Sequence, residues 1–202
     1  MNVQLEKPDK RTAILKSTLE LIKEHGFHGT PMSEIARNAR VAAGTIYHYF
    51  DSKDTLITAL YVYVKEELAR AMLAGYNENV SYKDRFLAFW VNQCKYYISN
   101  EGSLVFMEQY VNSPYPRLYP DQESDLFRGQ IVPFFRSGIE NGTLKPIDSE
   151  LLGPVIRGAI VATAKYHLAG RYLFTEKDLY DIACISWDGI KKHQHTNQDH
   201  DQ

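Results

Sequence analysis

The chain has 202 residues, 44% of them hydrophobic, and a formal charge of −2. That supplies core for one or two compact domains and excludes a protein that holds nucleic acid through a strongly basic global field. Residues 1–56 carry eight Lys and Arg against seven Asp and Glu, a net of +1, so any DNA contact has to come from a local patch.

Residues 1–8 are polar, end in Pro8 and are predicted to be disordered. From Asp9, Ala13, Ile14, Thr18, Leu19 and Ile22 recur on one helical face, and Gly26 is placed to end that helix. Thr30 before Pro31 predicts a second helix start, running to about Asn38. A short turn, Ala39 to Val41, leads to a third helix, and two short helices joined in this way are a helix-turn-helix. That turn usually holds Gly; Ala39 and Arg40 stand there, and one of them is expected to take an uncommon backbone angle. In the third helix Ile46 and Phe50 are expected to face inward, while Tyr47, His48 and Tyr49 in succession cannot all do so.

Asp51 or Ser52 is predicted to cap a long helix from Lys53 to about Gly75, with Leu56, Ile57, Leu60, Val64, Leu68 and Met72 along one stripe. An aromatic-rich helix spans about Tyr82 to Ser99, and another follows from Leu104 to Asn112. Pro114, Pro116 and Pro120 break the chain before a helix from Asp121 to Asn141, kinked at Pro133. Two final helices are read at about Ser149 to Gly170 and Thr175 to Lys192, and the histidine-bearing tail 193–202 as disordered. No strand pattern is present, so the fold class is all-α: a three-helix N-terminal domain over 9–52, joined by a long helix to a helical domain over 53–192.

The run Ile35-Ala36, Val41, Gly44-Thr45-Ile46-Tyr47, Tyr49-Phe50, Lys53 and Leu56, preceded by Gly26-Phe27-His28-Gly29-Thr30, resembles the TetR family of bacterial transcriptional regulators over roughly residues 9–60. The resemblance implies a cytoplasmic homodimer on palindromic double-stranded operator DNA. Each subunit would carry an N-terminal reading head and a C-terminal ligand-binding and dimerisation domain. It implies a sequence-specific regulator, a repressor released by a small organic effector. It carries DNA contacts over to Ser33, Ala43, Gly44, Thr45, Tyr47, His48 and Lys53. Arg40 is added on chemistry, since a cation ahead of the recognition helix reaches a phosphate or a guanine. Phosphate contacts from Thr45, Tyr47 and Lys53 would set register, and Ala43, against a thymine methyl, and His48 would read bases.

The remaining expectations rest on pattern. Leu152, Ile156, Ala159, Ile160, Thr163, Leu179, Ile182 and Ile190 are candidates for a four-helix dimer interface. Trp90, Gln93, Tyr97, Phe106, Tyr110, Phe127, Arg128, Phe134 and His167 are candidates for a lightly polar aromatic pocket. Cys94 and Cys184, outside any CxxC spacing, read as buried free thiols of a reducing compartment. No apolar run follows a basic start, and the longest apolar stretch, around 158–164, is far short of the ~20 residues of a membrane span. No paired carboxylates, Ser-His-Asp spacing or phosphate-binding Gly loop point to an enzyme, and no cofactor is expected. His193, His195 and His200 lack the fixed geometry of a metal site. The competing reading is a ligand-binding helical dimer of the same fold without DNA binding.

Overall fold

The computed structural model describes residues 9–192 and is helical throughout: α1 (Lys10–His25), α2 (Met32–Asn38), α3 (Ala43–Tyr49), α4 (Lys53–Met72), α5 (Tyr82–Ser99), α6 (Glu101–Val111), α7 (Tyr115–Leu118), a π-helical turn (Phe127–Ile131), α8 (Val132–Glu140), α9 (Ser149–Leu168) and α10 (Glu176–Ile190). The polar ends 1–8 and 193–202, with the three tail histidines, lie outside the described residues. No described helix is long and apolar enough to cross a membrane.

Two compact units divide the chain. Among the described residues, one takes 9–68 and 99–127, the other 69–98 and 128–192. The division differs from a boundary at residue 53, because α6 packs on α1. Gly102 faces α1 there: a Cβ on it would stand 3.6 Å from Leu19 Cγ, an ordinary packing distance. In this unit Ile14, Leu15 and Ile22 of α1, Ile35 of α2, Ile46 of α3, Leu56 and Ile57 of α4 and Phe106 of α6 are fully buried, each contributing on the order of 1.5–3 kcal/mol by leaving water.

Two local features depart from the sequence expectation. Thr30 does not cap α2. Its hydroxyl donates to the Gly26 carbonyl at 2.8 Å, and α2 starts behind Pro31 without a side-chain cap. Ser52, by contrast, caps α4 as expected, its Oγ accepting the Thr55 amide at 3.1 Å. The helix expected from Asp121 begins at Asp125, and the predicted kink is a π-helical turn that runs into Pro133 in the first turn of α8. Proline has no N–H and its ring crowds the carbonyl four residues back, which opens the ladder there.

The second unit is built on α5, α8, α9 and α10. Phe86, Phe89, Trp90 and Cys94 are buried with Leu152, Ile156, Ile160 and Ala164 of α9 and Leu179, Ala183 and Trp187 of α10. Both cysteines are free, Cys94 buried and Cys184 half-buried, and burial pushes the Cys94 thiol up to about 12. Tyr82 stacks on Phe134 at 4.3 Å and its hydroxyl donates to the Phe134 carbonyl at 3.0 Å. The end of α10 is tied down by backbone pairing with the connection before α9, Lys145 donating to the Ile190 carbonyl and Lys192 to that of Thr143. Thr175 and Asp178 form a reciprocal capping box at the start of α10.

Candidate nucleic-acid interface

The three N-terminal helices are held by small polar ties as well as by core. Ser17 of α1 donates to the Ile35 carbonyl of α2 at 3.2 Å, while the buried Thr18 hydroxyl is satisfied within α1 by the Ile14 carbonyl at 2.7 Å. The turn between α2 and α3 closes with the Val41 amide on the Ala36 carbonyl at 3.0 Å and the Arg40 amide on Arg37 at 3.2 Å. This is the Schellman arrangement, which needs a left-handed residue at its fifth position. Arg40 supplies it at φ 54°, the one non-glycine residue with positive φ among those described. An L side chain there costs on the order of 1 kcal/mol. The expectation that Ala39 or Arg40 takes an uncommon angle therefore falls on Arg40; Ala39 is right-handed at φ −72°.

On α3 the division between inside and outside is sharp. Ile46 is fully buried and Phe50, just past its end, is 4% exposed, while Tyr47 is 55% exposed. Ala43, Gly44, Tyr47 and His48, spaced i, i+1, i+4 and i+5, share the outward face. Ser33 and Arg40 are exposed as well, and Thr45 is half-buried. A Cβ built on Gly44 meets nothing within 4 Å, so nothing in the described structure requires a glycine there. The His48 and Tyr49 rings meet in a T-shaped contact at 5.3 Å between centroids.

Lys53 does more than sequence reasoning assigned to it. It is half-buried, and its Nζ donates to the Phe27 carbonyl in the α1–α2 connection. Desolvation holds its pKa below the ordinary lysine value, with Asp54 opposing. An ammonium has three N–H groups, so this bond anchors the start of α4 and leaves two donors over. Arg11, which the sequence reading passed over, lies over the Phe50 ring at 5.5 Å and brings another exposed cation to the same end of the head. The outward face thus combines cations, a phenol, an imidazole and small residues that let a surface approach closely. That set can bond phosphates and base edges.

The other predicted residues separate. Phe106, Tyr110 and Phe127 belong to the first unit; Trp90, Gln93, Tyr97, Arg128, Phe134 and His167 to the second. Of the nine, Phe134 alone lines the cavity of about 420 Å³ that the second unit holds. His167 serves a turn: its Nδ1 accepts the Phe174 amide at 3.1 Å, beside a stacked Phe174 ring. For the dimer candidates, Leu152, Ile156, Ile160, Thr163, Leu179 and Ile190 are buried in their own subunit, and Ala159 and Ile182 half-buried. Apolar side chains left outward include Leu151 at 62%, Val155 at 66% and Tyr166 at 49% exposed on α9, with Tyr180 at 49% and Ile185 at 71% on α10.

This fold and this outward face define a helix-turn-helix protein of the bacterial regulatory class. The chain belongs to the tetR family: the profile of the bacterial regulatory proteins of that family matches residues 14–60, and that of the tetracyclin repressor-like C-terminal domain matches 81–191. A Vibrio parahaemolyticus transcriptional regulator of the family is 33% identical with a TM-score of 0.78, covering 92% of this chain and all of that one. A tetR family transcription regulator from Shewanella sp. PV-4 is 27% identical with a TM-score of 0.79, over 91% of this chain and 99% of that one. Among curated relatives, the HTH-type transcriptional regulator UidR of Escherichia coli K12 is 40% identical over 70 residues, 34% of this chain and 36% of UidR. The chain thus matches about a third of UidR's length. The fatty acid metabolism regulator protein of Bacillus subtilis is 25% identical over 162 residues, 78% of this chain and 83% of that one.

Proposed function

We propose that this chain is a sequence-specific DNA-binding transcriptional regulator, a cytoplasmic homodimer that represses from a palindromic operator and is released by a small organic ligand. The observation that carries the reading is the outward face of α3 and its turn. Tyr47 and His48 are exposed, Gly44 is unused by the fold, and a strained Arg40 stands where glycine would cost nothing. Strain retained at such a position suits a functional cation. The dimer is assigned to the outward face of α9 and α10, with Leu151, Val155, Tyr166 and Ile185 exposed where Leu152 and Ile156 are buried. With a charge of only +1 over residues 1–56, a single head would bind weakly, so function depends on two heads joined. Release follows if the ligand prefers one of two dimer states by about 1–3 kcal/mol. The B. subtilis relative with a fatty-acid role and FadR from B. subtilis, solved with stearoyl-CoA at 20% identity, support an amphipathic organic effector.

The test is selection of bound duplexes from a random DNA pool with the purified chain. A symmetric motif with half-site centres about 34–36 Å apart, or a multiple of that, is expected. Absence of any enriched sequence at low salt overturns the reading and leaves a ligand binder without DNA.

A further inference from the structure

The cavity in the second unit is lined by Leu73, Tyr76, Arg85, Phe89, Phe134 and Ser137, with Gly129, Gln130 and Pro133 along the π-helical turn and Glu78 at the rim. Stacked aromatic pairs stand along its walls. Tyr76 stacks on Phe89 at 5.7 Å, and Tyr82 on Phe134 at 4.3 Å. Arg85 stands among these rings, its guanidinium carbon 6.0 Å from the Tyr76 centroid and 5.6 Å from those of Tyr82 and Phe134. Its Nη1 donates to the Tyr76 hydroxyl at 3.1 Å.

Two further facts set this arginine apart. No carboxylate pairs with it among the described residues, although Glu78 lines the same cavity and Asp84 is its chain neighbour, bonded instead to Ser81. Its Nε is shielded from water with no hydrogen-bond acceptor. A desolvated donor on a permanent cation is costly, and native structures nearly always satisfy such groups. With Nη1 on Tyr76 and Nε shielded, Nη2 is the guanidinium nitrogen left to meet a carboxylate, and the unsatisfied Nε leaves the cation under-bonded.

We propose that this cavity binds a small organic monocarboxylate, its carboxylate on Arg85 and its apolar body against Tyr76, Phe89 and Phe134. The proposal rests on the ligand-responsive reading above and names the class of effector. A cavity of about 420 Å³ has room for a small organic guest, and the rim carboxylate of Glu78 disfavours a polyanion such as a phosphate ester. The π-helical turn supplies Gly129 as a wall without a side chain, where a Cβ would meet nothing within 4 Å, leaving room for the guest.

The experiment is calorimetric titration of the full chain with 3-phenylpropanoate, 2-naphthoate and octanoate, each against its uncharged amide. At least one carboxylate is expected to bind, with its amide about tenfold or more weaker. Arg85→Gln should weaken the carboxylate about tenfold while leaving the amide nearly unchanged. Gly129→Leu, which adds bulk at the cavity wall and leaves the arginine in place, should weaken both, and it carries the test if Arg85→Gln does not fold. Amides that bind as well as acids, carboxylate binding unmoved by Gly129→Leu, or no carboxylate bound in the millimolar range overturns the proposal. Failure of the regulator reading is distinguishable: DNA selection fails while carboxylate binding to the cavity persists. The converse, operator DNA bound but no carboxylate, sinks this inference alone.

Discussion

The connection between α1 and α2 and the segment from the α2–α3 turn through α3 are neighbours in the same small head, and they are finished to different standards. In the first, local groups are used up. Gly26 takes the left-handed angle at φ 68°, Thr30 bonds its carbonyl, Lys53 bonds that of Phe27, and the Phe27 ring lies 5.8 Å from both Phe106 and Tyr115. In the second, an arginine holds the left-handed angle, α3 starts without a side-chain cap, and aromatic rings stand in water. A connection made for the fold satisfies itself; a surface made for a guest leaves donors and space unspent. Comparing the two separates residues that hold the head together from those that would touch DNA.

The sharpest test of the first region is Gly29→Ala. A Cβ at Gly29 would lie 2.4 Å from the His25 carbonyl oxygen, and backbone cannot swing aside as a side chain can. The expected loss is about 3 kcal/mol in urea unfolding, by overpacking. A loss under about 1 kcal/mol would mean that this connection is looser than its contacts imply.

Lys53→Met tests whether one residue belongs to both regions. Loss of the bond to Phe27 should cost about 1 kcal/mol, reduced by the lysine's partial exposure. The sign of the pH effect is fixed by desolvation, which lowers the folded pKa below the ordinary value of 10.5. In the window between the two values the unfolded chain holds more protons, so wild-type stability rises with pH there, and Lys53→Met should flatten that rise. If Lys53 also holds a phosphate, the same variant lowers the slope of log affinity against log salt by about one. An unchanged slope confines Lys53 to the fold.

Much of this contrast was legible in the sequence. Ile46 and Phe50 inward, Tyr47 outward, and strain at Ala39 or Arg40 all follow from spacing and from a missing glycine, because a short amphipathic helix has one way to bury two apolar residues four apart. What was hidden depended on which of several available partners the fold brings to a group. Thr30 before Pro31 reads as a cap in any local pattern, and only the Gly26 carbonyl decides otherwise. On α9 Leu151 and Leu152 are equally apolar, and Val155 and Ile156 likewise, so periodicity alone cannot say which of each pair faces the subunit's own core; the structure buries Leu152 and Ile156 and leaves Leu151 and Val155 outward. The cavity escaped for a similar reason. Arg85 looks like an ordinary surface cation until Tyr76, Tyr82 and Phe134 are brought around it.

Arg40→Gly turns to the second region. Glycine adopts the left-handed angle freely, so the variant should be more stable by about 1 kcal/mol, read as a higher urea midpoint at unchanged m-value. Affinity for the selected operator should fall at the same time. A variant that gains stability and keeps its affinity would make the strained arginine an accident of descent with no part in binding.

Gly44→Ala carries the smallest stability effect and bears most directly on what α3 is for. The added Cβ meets nothing within 4 Å, so packing neither gains nor loses. Helix propensity favours alanine over glycine by about 1 kcal/mol at most, and less in a helix of seven residues, so a gain of about 0.5 kcal/mol is expected. If the outward face of α3 lies against DNA, the same methyl group stands in the path of the groove wall, and affinity should drop about tenfold or more although the head has become more stable. Only a surface outside the chain can penalise a change that the chain itself welcomes. Equal affinity of Gly44→Ala and wild type for the selected operator would move the contact surface off this face of α3, whatever Tyr47 and His48 look like.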